Sequence, residues 1–227
     1  MLQDNVFLDS EGDRWFARNR GALQAFDAGA DLPLRLLSLY VLRPECALEI
    51  GAANGFRLAE VQRRTGARAV AVEPSEQAID DGRKAFPSIQ FIRGTAHSIP
   101  LKEVFDLVIV NFVFHWIDRS NLLRSVAETD RLVRDGGWLM IGDFYPANRR
   151  RVRYHHLTDK QIFTFKQNYA ETFLASGLYH SVALMTADHA AKKLEPAVGE
   201  SERIGVWLLQ KSLTEHFVAT ELDGQGG

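Results

Sequence analysis

Cysteine and long hydrophobic runs are nearly absent from the sequence. One cysteine, Cys46, stands among 227 residues, which excludes an internal disulfide and favours a reducing compartment. No apolar stretch is long enough to cross a bilayer, and the N-terminal residues lack the basic and then apolar order of a secretion signal. We therefore predict a cytoplasmic protein without a membrane partner.

An excess of charge of either sign is also lacking. The 27 Lys and Arg residues face 29 Asp and Glu residues, so the formal net charge is −2, and 46% of the residues are hydrophobic. A slightly acidic chain argues against a general nucleic-acid binder. We predict one domain over residues 1–227, a small-molecule substrate as partner, no nucleic acid, no metal, and a monomer or a homodimer.

Between residues 46 and 141, short apolar runs alternate with segments that suit helices. Strands are predicted at 46–50, 67–72, 89–92, 105–110 and 138–141, and helices at 56–65, 76–86 and 121–133. Strands that are apolar on both faces and alternate with helices are typical of a parallel sheet covered on both sides. A helix at 166–176 and two strands at 179–185 and 203–209 are predicted to follow.

The whole pattern predicts a Rossmann-like α/β fold. It has a seven-stranded, mostly parallel sheet with an antiparallel edge strand, helices on both faces and an N-terminal helical cap over residues 1–44. Two helices are predicted between residues 9 and 42, the second starting near Asp31-Leu32-Pro33, with proline in its first turn. Residues 211–227 are predicted to be a tail.

Glycines and an acidic residue follow the first two predicted strands. Gly51 and Gly55 bracket the turn into a helix, and Glu73 ends the second strand 22 positions after Gly51, the spacing of an acid that receives ribose hydroxyls. Residues 52–54 are not glycine, so a dinucleotide fingerprint fails, and no P-loop is present. A ligand with a ribose and no phosphate fits better. The alternatives are a tight turn without a ligand and a Glu73 that only stabilises a helix N-terminus.

Five sequence pieces resemble the class I S-adenosylmethionine-dependent methyltransferases, especially their small-molecule branch. They are Leu-Glu-Ile-Gly-Ala-Ala-Asn-Gly at 48–55, Val-Glu-Pro-Ser at 72–75, Gly-Thr-Ala at 94–96, Phe-Asp-Leu-Val at 105–108 and Leu-Val-Arg-Asp-Gly-Gly-Trp-Leu at 132–139. The resemblance implies S-adenosyl-L-methionine as the cofactor and S-adenosyl-L-homocysteine as the product. It also implies a cofactor-binding half at residues 45–143 and a substrate-side half at residues 144–210.

The resemblance further implies roles for single residues. Glu49 and the glycine loop face the methionine part, Glu73 binds the ribose, and Thr95 and Ala96 flank the adenine. The full cofactor-binding set that it implies is Glu49, Gly51, Ala52, Asn54, Gly55, Glu73, Pro74, Thr95, Ala96, Asn111 and Phe112. Two positions depart from the usual pattern: Ala53 replaces a loop glycine, and Thr95 replaces an aspartate that would read the adenine amino group.

Candidate catalytic and substrate-binding residues follow the fourth and fifth strands or lie in the N-terminal helices. A base is needed only where the nucleophile must lose a proton, and the candidates are His115, Asp143, Tyr145 and His155. The arginine-rich segment after residue 148 suggests a lid that clamps an anionic substrate; a solvated surface loop is the alternative. The predicted substrate-binding residues are Trp15, Asn19, Trp116, Arg150, Arg151, Arg153, Tyr154 and His156.

The function predicted on these grounds is methyl transfer to an oxygen or nitrogen nucleophile of a small, anionic metabolite or a sugar. One alternative is an NAD-dependent oxidoreductase, which the missing third glycine disfavours. The other is a non-catalytic cofactor-binding scaffold or regulatory protein of the same fold, because fold does not fix function.

Overall fold

The computed structural model of the protein describes residues 3–189, Leu194 and residues 203–215. The middle of the predicted connection between the last two strands and most of the predicted tail lie outside the described residues. The strands are β1 (Cys46–Ile50), β2 (Arg68–Glu73), β3 (Gln90–Arg93), β4 (Phe105–Asn111), β5 (Val133–Phe144), β6 (Arg150–Arg153), β7 (Phe163–Lys166), β8 (Tyr179–Asp188) and β9 (Arg203–Lys211).

Seven of these strands form one sheet in the order β3-β2-β1-β4-β5-β9-β8. β1 to β5 pair in parallel, and β9 runs antiparallel to both of its neighbours at the far side of the sheet, next to the outermost strand β8. The predicted fold class is confirmed.

Apolar residues on alternate positions of the strands build two cores, one on each face of the sheet. On one face, side chains such as Ala69 and Leu107 pack with the first helices, and on the other face Val70 and Val108 pack with the later ones. Since both faces are covered, the strands show no polar alternation.

The helices are α1 (Gln3–Val6), α2 (Gly12–Gln24), α3 (Leu32–Leu39), α4 (Phe56–Thr65), α5 (Glu76–Ala85), α6 (Leu122–Leu132) and α7 (Ala170–Leu174), and a π-helical turn (Phe7–Glu11) joins α1 to α2. Side chains fix two of their starts. Asp31 accepts the backbone N–H of Leu34 at 3.0 Å, and Ser75 accepts that of Ala78 at 3.0 Å, as N-terminal caps do. In the described part of the chain, no helix combines the length and apolar character needed to span a membrane.

The second half of the chain differs from the sequence prediction in two places. The arginine-rich segment, for which no strand was predicted, forms β6, which pairs antiparallel with β7 as a separate two-stranded ribbon. The helix predicted at 166–176 shrinks to α7, because the residues before it belong to β7 and to a turn. Periodicity does not reveal a ribbon whose residues are all exposed or half-buried.

Candidate active site

A cavity of about 610 Å³ lies beyond the carboxyl ends of β1, β2 and β4, where open parallel sheets bind ligands. The N-terminal helices and the β6–β7 ribbon contribute further walls. This volume is typical of a small-molecule site. The predicted site residues that line it are Gly51, Glu73, Pro74, Thr95, Ala96, Asn111, Phe112, His115, Trp15, Asn19, Trp116, Arg153, Tyr154, His155 and His156.

The loop after β1 has an unusual backbone. Gly51 has a φ of +72°, and Ala53 has a φ of +50° although it is not glycine. The latter conformation costs roughly 1–2 kcal/mol for a residue with a Cβ. The Ala53 N–H donates to Oε2 of Glu73 at 2.8 Å, so the strained residue joins the loop to the acid at the end of β2.

Gly55 has a role that differs from the predicted one. Its φ is +79°, and an added Cβ would lie 2.8 Å from Cζ of Phe91. The absence of a side chain therefore makes room for a core ring, and Gly55 is not among the residues that line the cavity. Asn54 also points elsewhere, because its side-chain amide donates to Asp81 at 2.8 Å.

Glu73 is a buried carboxylate at the cavity wall. Its two oxygens accept the backbone N–H groups of Ala53 and Ser75, at 2.8 and 2.9 Å. Burial raises the pKa of Glu73 to about 7, although both N–H groups act in the opposite direction. A carboxylate has about four acceptor sites, so two remain for ribose hydroxyls.

Sequence reasoning missed a buried ion-pair cluster beside this loop. The Arg57 guanidinium binds Glu49 and also donates to both carboxylate oxygens of Asp31, at 2.9 to 3.1 Å. Burial raises the pKa of Glu49 against the opposing charge of Arg57. The signal was present in the sequence, since an acid inside an apolar strand requires a cationic partner.

Within this cluster, Arg57 lines the cavity and Glu49 lies behind it. Oε2 of Glu49 is buried and has no hydrogen-bond partner among the residues that the structure describes. Because Glu49 does not line the cavity, a ligand there would meet this cluster through Arg57.

His115 and Asp143 form a buried pair at the ends of β4 and β5. Nδ1 of His115 lies 2.9 Å from Oδ1 of Asp143, and the backbone N–H of His115 donates to Oδ2 of the same carboxylate at 3.2 Å. The carboxylate fixes the ring and its tautomer, which leaves Nε2 as the nitrogen available to a ligand. His115 lines the cavity, and the pair can therefore take up a proton there.

Aromatic rings surround this pair on two sides. One group, the inner wall, is Phe112, Phe144 and His189, whose ring centroids lie 5.3 to 5.4 Å apart. The other group, the outer wall, is Phe7, Trp15, Trp116 and Tyr154, with centroids 5.0 to 6.2 Å from that of Trp116. The sequence placed Trp15, Trp116 and Tyr154 at the substrate; Phe7 and Phe144 were missed, because lone phenylalanines read as core.

The remaining candidates lie apart from the cavity. Tyr145 packs under the guanidinium of Arg203, 4.7 Å from its ring centroid. Arg151 stacks on Phe163 at 4.7 Å, and Arg150 is exposed. Of the four arginines at 149–153, Arg153 alone lines the cavity. Ala52, behind the loop, is buried in the core.

Comparisons with known proteins agree with this geometry. Residues 48–141 match a family described as a methyltransferase domain. An uncharacterized methyltransferase of Mycobacterium bovis is 36% identical over 93 residues, which are 40% of this chain and 37% of that protein. One of Alkaliphilus oremlandii is 26% identical over 96 residues, 42% of this chain and 44% of that protein. The chain thus matches less than half the length of these curated relatives.

Solved structures share the fold over a longer stretch. The 1,6-didemethyltoxoflavin-N1-methyltransferase of Burkholderia thailandensis, solved with 1,6-didemethyltoxoflavin and S-adenosylhomocysteine, has a TM-score of 0.70 at 16% identity and covers 93% of this chain and 91% of its own. The N-methyltransferase NodS of Bradyrhizobium japonicum, solved with S-adenosylhomocysteine, has a TM-score of 0.56 at 16% identity. The match covers 77% of this chain and 82% of NodS.

These findings confirm the resemblance predicted from the sequence: residues 48–141 match a methyltransferase domain, and the chain shares the fold of solved methyltransferases.

Proposed function

We propose that the protein is an S-adenosylmethionine-dependent methyltransferase that acts on a small molecule, with His115 as the general base. The observation that carries the proposal is one cavity lined by both Glu73 and His115, whose ring is held by the buried Asp143. Glu73 is suited to accept hydrogen bonds from ribose hydroxyls, and His115 is suited to take a proton from the nucleophile.

The residues of the cavity fit the cofactor. Glu73 has acceptor capacity left for the ribose, the Gly51–Ala53 turn and Arg57 lie where the methionine part would be held, and Ala96 offers an apolar surface for adenine. When bound, S-adenosylmethionine supplies an electrophilic methyl carbon, whose bond to sulfur breaks with the electron pair left on the sulfur.

The chain itself has three tasks in this reaction. The two aromatic walls orient the acceptor and exclude water, which raises the rate by proximity. His115 takes the acceptor's proton at Nε2, and Asp143 stabilises the resulting imidazolium. An oxygen or a nitrogen nucleophile satisfies this arrangement.

Of the two acceptor classes predicted from the sequence, the cavity favours a small anionic metabolite over a sugar. Arg153 and Lys166 line it near the aromatic residues, and cations of this kind attract an anion. The proposal keeps the cytoplasmic location, the absence of nucleic acid, the single domain and the monomer or homodimer predicted above.

Binding and turnover test the proposal together. S-adenosylhomocysteine is expected to raise the melting temperature of the protein, and NAD is not. A shift with NAD alone indicates the oxidoreductase. Binding of S-adenosylhomocysteine without methyl transfer to any compound of a labelled-cofactor screen indicates the scaffold protein.

A further inference from the structure

We infer that the acceptor is a flat, conjugated ring compound that carries an ionisable O–H or N–H group for His115 and a second, acidic group for the cations at the rim. The inference rests on the proposed function and names the substrate class of the same site. Three features of the acceptor half of the cavity lead to it.

The first feature is the position of the base between the two aromatic walls. The ring centroid of His115 lies 5.2 Å from that of Phe144 in the inner wall and 4.4 Å from that of Trp116 in the outer wall. The base therefore contacts one ring of each wall, and a group that binds to it lies next to aromatic rings. A planar ring gains stacking and edge-to-face contacts there, whereas a puckered aliphatic ring does not.

The second feature is that three polar side chains at the outer wall already have partners, whereas Oδ1 of Asn111, next to the inner wall, has none among the described residues. The side-chain amide of Asn19 donates to the carbonyl oxygen of Trp15 at 2.8 Å, and the hydroxyl of Thr164 accepts Nε1–H of Trp116 at 3.3 Å. The hydroxyl of Tyr154 donates to Glu11 at 2.8 Å. A polyhydroxylated acceptor needs many fixed polar partners, because a buried hydroxyl without one is costly. A sugar is therefore a poor fit.

The third feature is the sign of the charge. Lys166 and Arg153 line the cavity, and Nζ of Lys166 lies 3.9 Å from the ring centroid of Phe144. Of the carboxylates near the walls, Asp143 pairs with His115, one oxygen of Glu11 accepts from Tyr154 and Arg18, and Asp4, which also lines the cavity, accepts from Asn121. A cationic amine would be repelled by Lys166 and Arg153, whereas an acidic group on the acceptor would be attracted.

Calorimetric titration of matched compounds onto protein saturated with S-adenosylhomocysteine tests the inference. The probes are hydroxybenzoates and hydroxyquinoline carboxylates, their ring-saturated counterparts such as trans-4-hydroxycyclohexanecarboxylate, and the amine tyramine. We expect the tightest-binding probe to be one of the aromatic acids. Its dissociation constant should be at least tenfold lower than those of its saturated counterpart and of tyramine.

Two variants separate the contributions of the wall and of the charge. Trp116→Leu is expected to remove most of the preference for the aromatic member of a pair and to leave the affinity for S-adenosylhomocysteine unchanged. Lys166→Gln is expected to weaken the aromatic acids and to leave the corresponding phenols unaffected.

The outcomes distinguish the inference from the proposed function. The inference is overturned if saturated acids or amines bind as tightly as the aromatic acids, or if no aromatic acid binds. In either case, binding of S-adenosylhomocysteine leaves the proposed function intact. If S-adenosylhomocysteine itself does not bind, the function fails, and the same titrations on the protein alone still decide which ring type the walls prefer.

Discussion

Nδ1 of His115 lies 2.9 Å from Oδ1 of Asp143, and the same carboxylate also accepts two backbone N–H groups, those of His115 at 3.2 Å and Phe144 at 2.7 Å. Three donors therefore hold the acid, and the acid holds the ring. Because strands β4 and β5 are neighbours, the turn that follows β4 carries His115 next to Asp143 near the end of β5.

His115→Gln is expected to lower kcat by about 10² to 10⁴-fold, the usual contribution of a positioned base. Affinity for S-adenosylhomocysteine should stay unchanged, because His115 is assigned to the acceptor. Single-turnover kinetics and calorimetry check the two statements. Tyr145→Phe is the matched control, since it removes a hydroxyl from a ring outside the cavity. Equal losses in both variants would remove His115 from its assigned role.

Glu73 should make cofactor binding depend on pH. Its pKa is about 7 in the free protein, and ribose hydroxyls bind the ionised form better, so binding releases a proton and affinity rises with pH. Between pH 8 and pH 6, the affinity for S-adenosylhomocysteine is expected to fall about tenfold. Calorimetric titration in two buffers of different ionisation enthalpy measures how many protons are released when the ligand binds. Glu73→Gln should bind more weakly by on the order of 1–3 kcal/mol and show no such pH dependence; a flat wild-type profile contradicts the assignment.

Arg57→Met is expected to lower the free energy of unfolding by about 3–5 kcal/mol, because it leaves the buried carboxylates of Asp31 and Glu49 without their cation. Arg63→Met is the control on the same helix. Arg63 is largely exposed and pairs with Glu60, and a surface ion pair of this kind adds little to stability. Chemical denaturation gives both values. Similar losses for the two variants would mean that the cluster at Arg57 has no special weight.

Gly51→Ala is expected to lower stability in two ways, through a left-handed backbone conformation and through a steric clash. Gly66→Ala measures the first of these alone. An added Cβ at Gly51 would lie 2.4 Å from Cγ2 of Val113, whereas Gly66 has a similar φ of +79° and open space around it. Gly66→Ala is therefore expected to cost only the left-handed backbone, roughly 1–2 kcal/mol. Gly51→Ala should cost more, and Val113→Ala should recover the difference in a double-mutant cycle. If Gly51→Ala and Gly66→Ala cost the same, the steric part of the argument is wrong.

The sheet could be predicted because its strands are apolar on both faces and its helices carry caps. Ala69 and Val70 point to opposite cores, so their stretch shows no polar alternation and predicts a buried parallel strand. The ribbon of β6 and β7 gave no such signal. Arg151 and Phe163 stack across it on a largely exposed surface, and the resulting pattern resembles a charged loop.

The candidate site could be predicted where residues follow strand ends, as Glu73, Asn111 and His115 do. It could not be predicted where a contact joins distant segments. Arg57 meets Asp31 across 26 positions, and Phe7 reaches Trp116 across more than a hundred. Spacing within one element does not reveal such pairs, so the ion-pair cluster and the place of Phe7 in the outer wall are seen only in the folded chain.

The cavity is built partly from segments outside residues 48–141, and this has a consequence for how such a protein diversifies. Trp15, Tyr154 and Lys166 lie outside residues 48–141, whereas Glu73 and His115 lie inside that stretch. Substitutions can therefore accumulate in the segments that face the proposed acceptor, while the residues proposed to bind the cofactor and to act as the base stay unchanged. We expect a chimera that carries the N-terminal helices and the β6–β7 ribbon of a relative to show the relative's acceptor specificity. Its affinity for the methyl donor should be that of this protein.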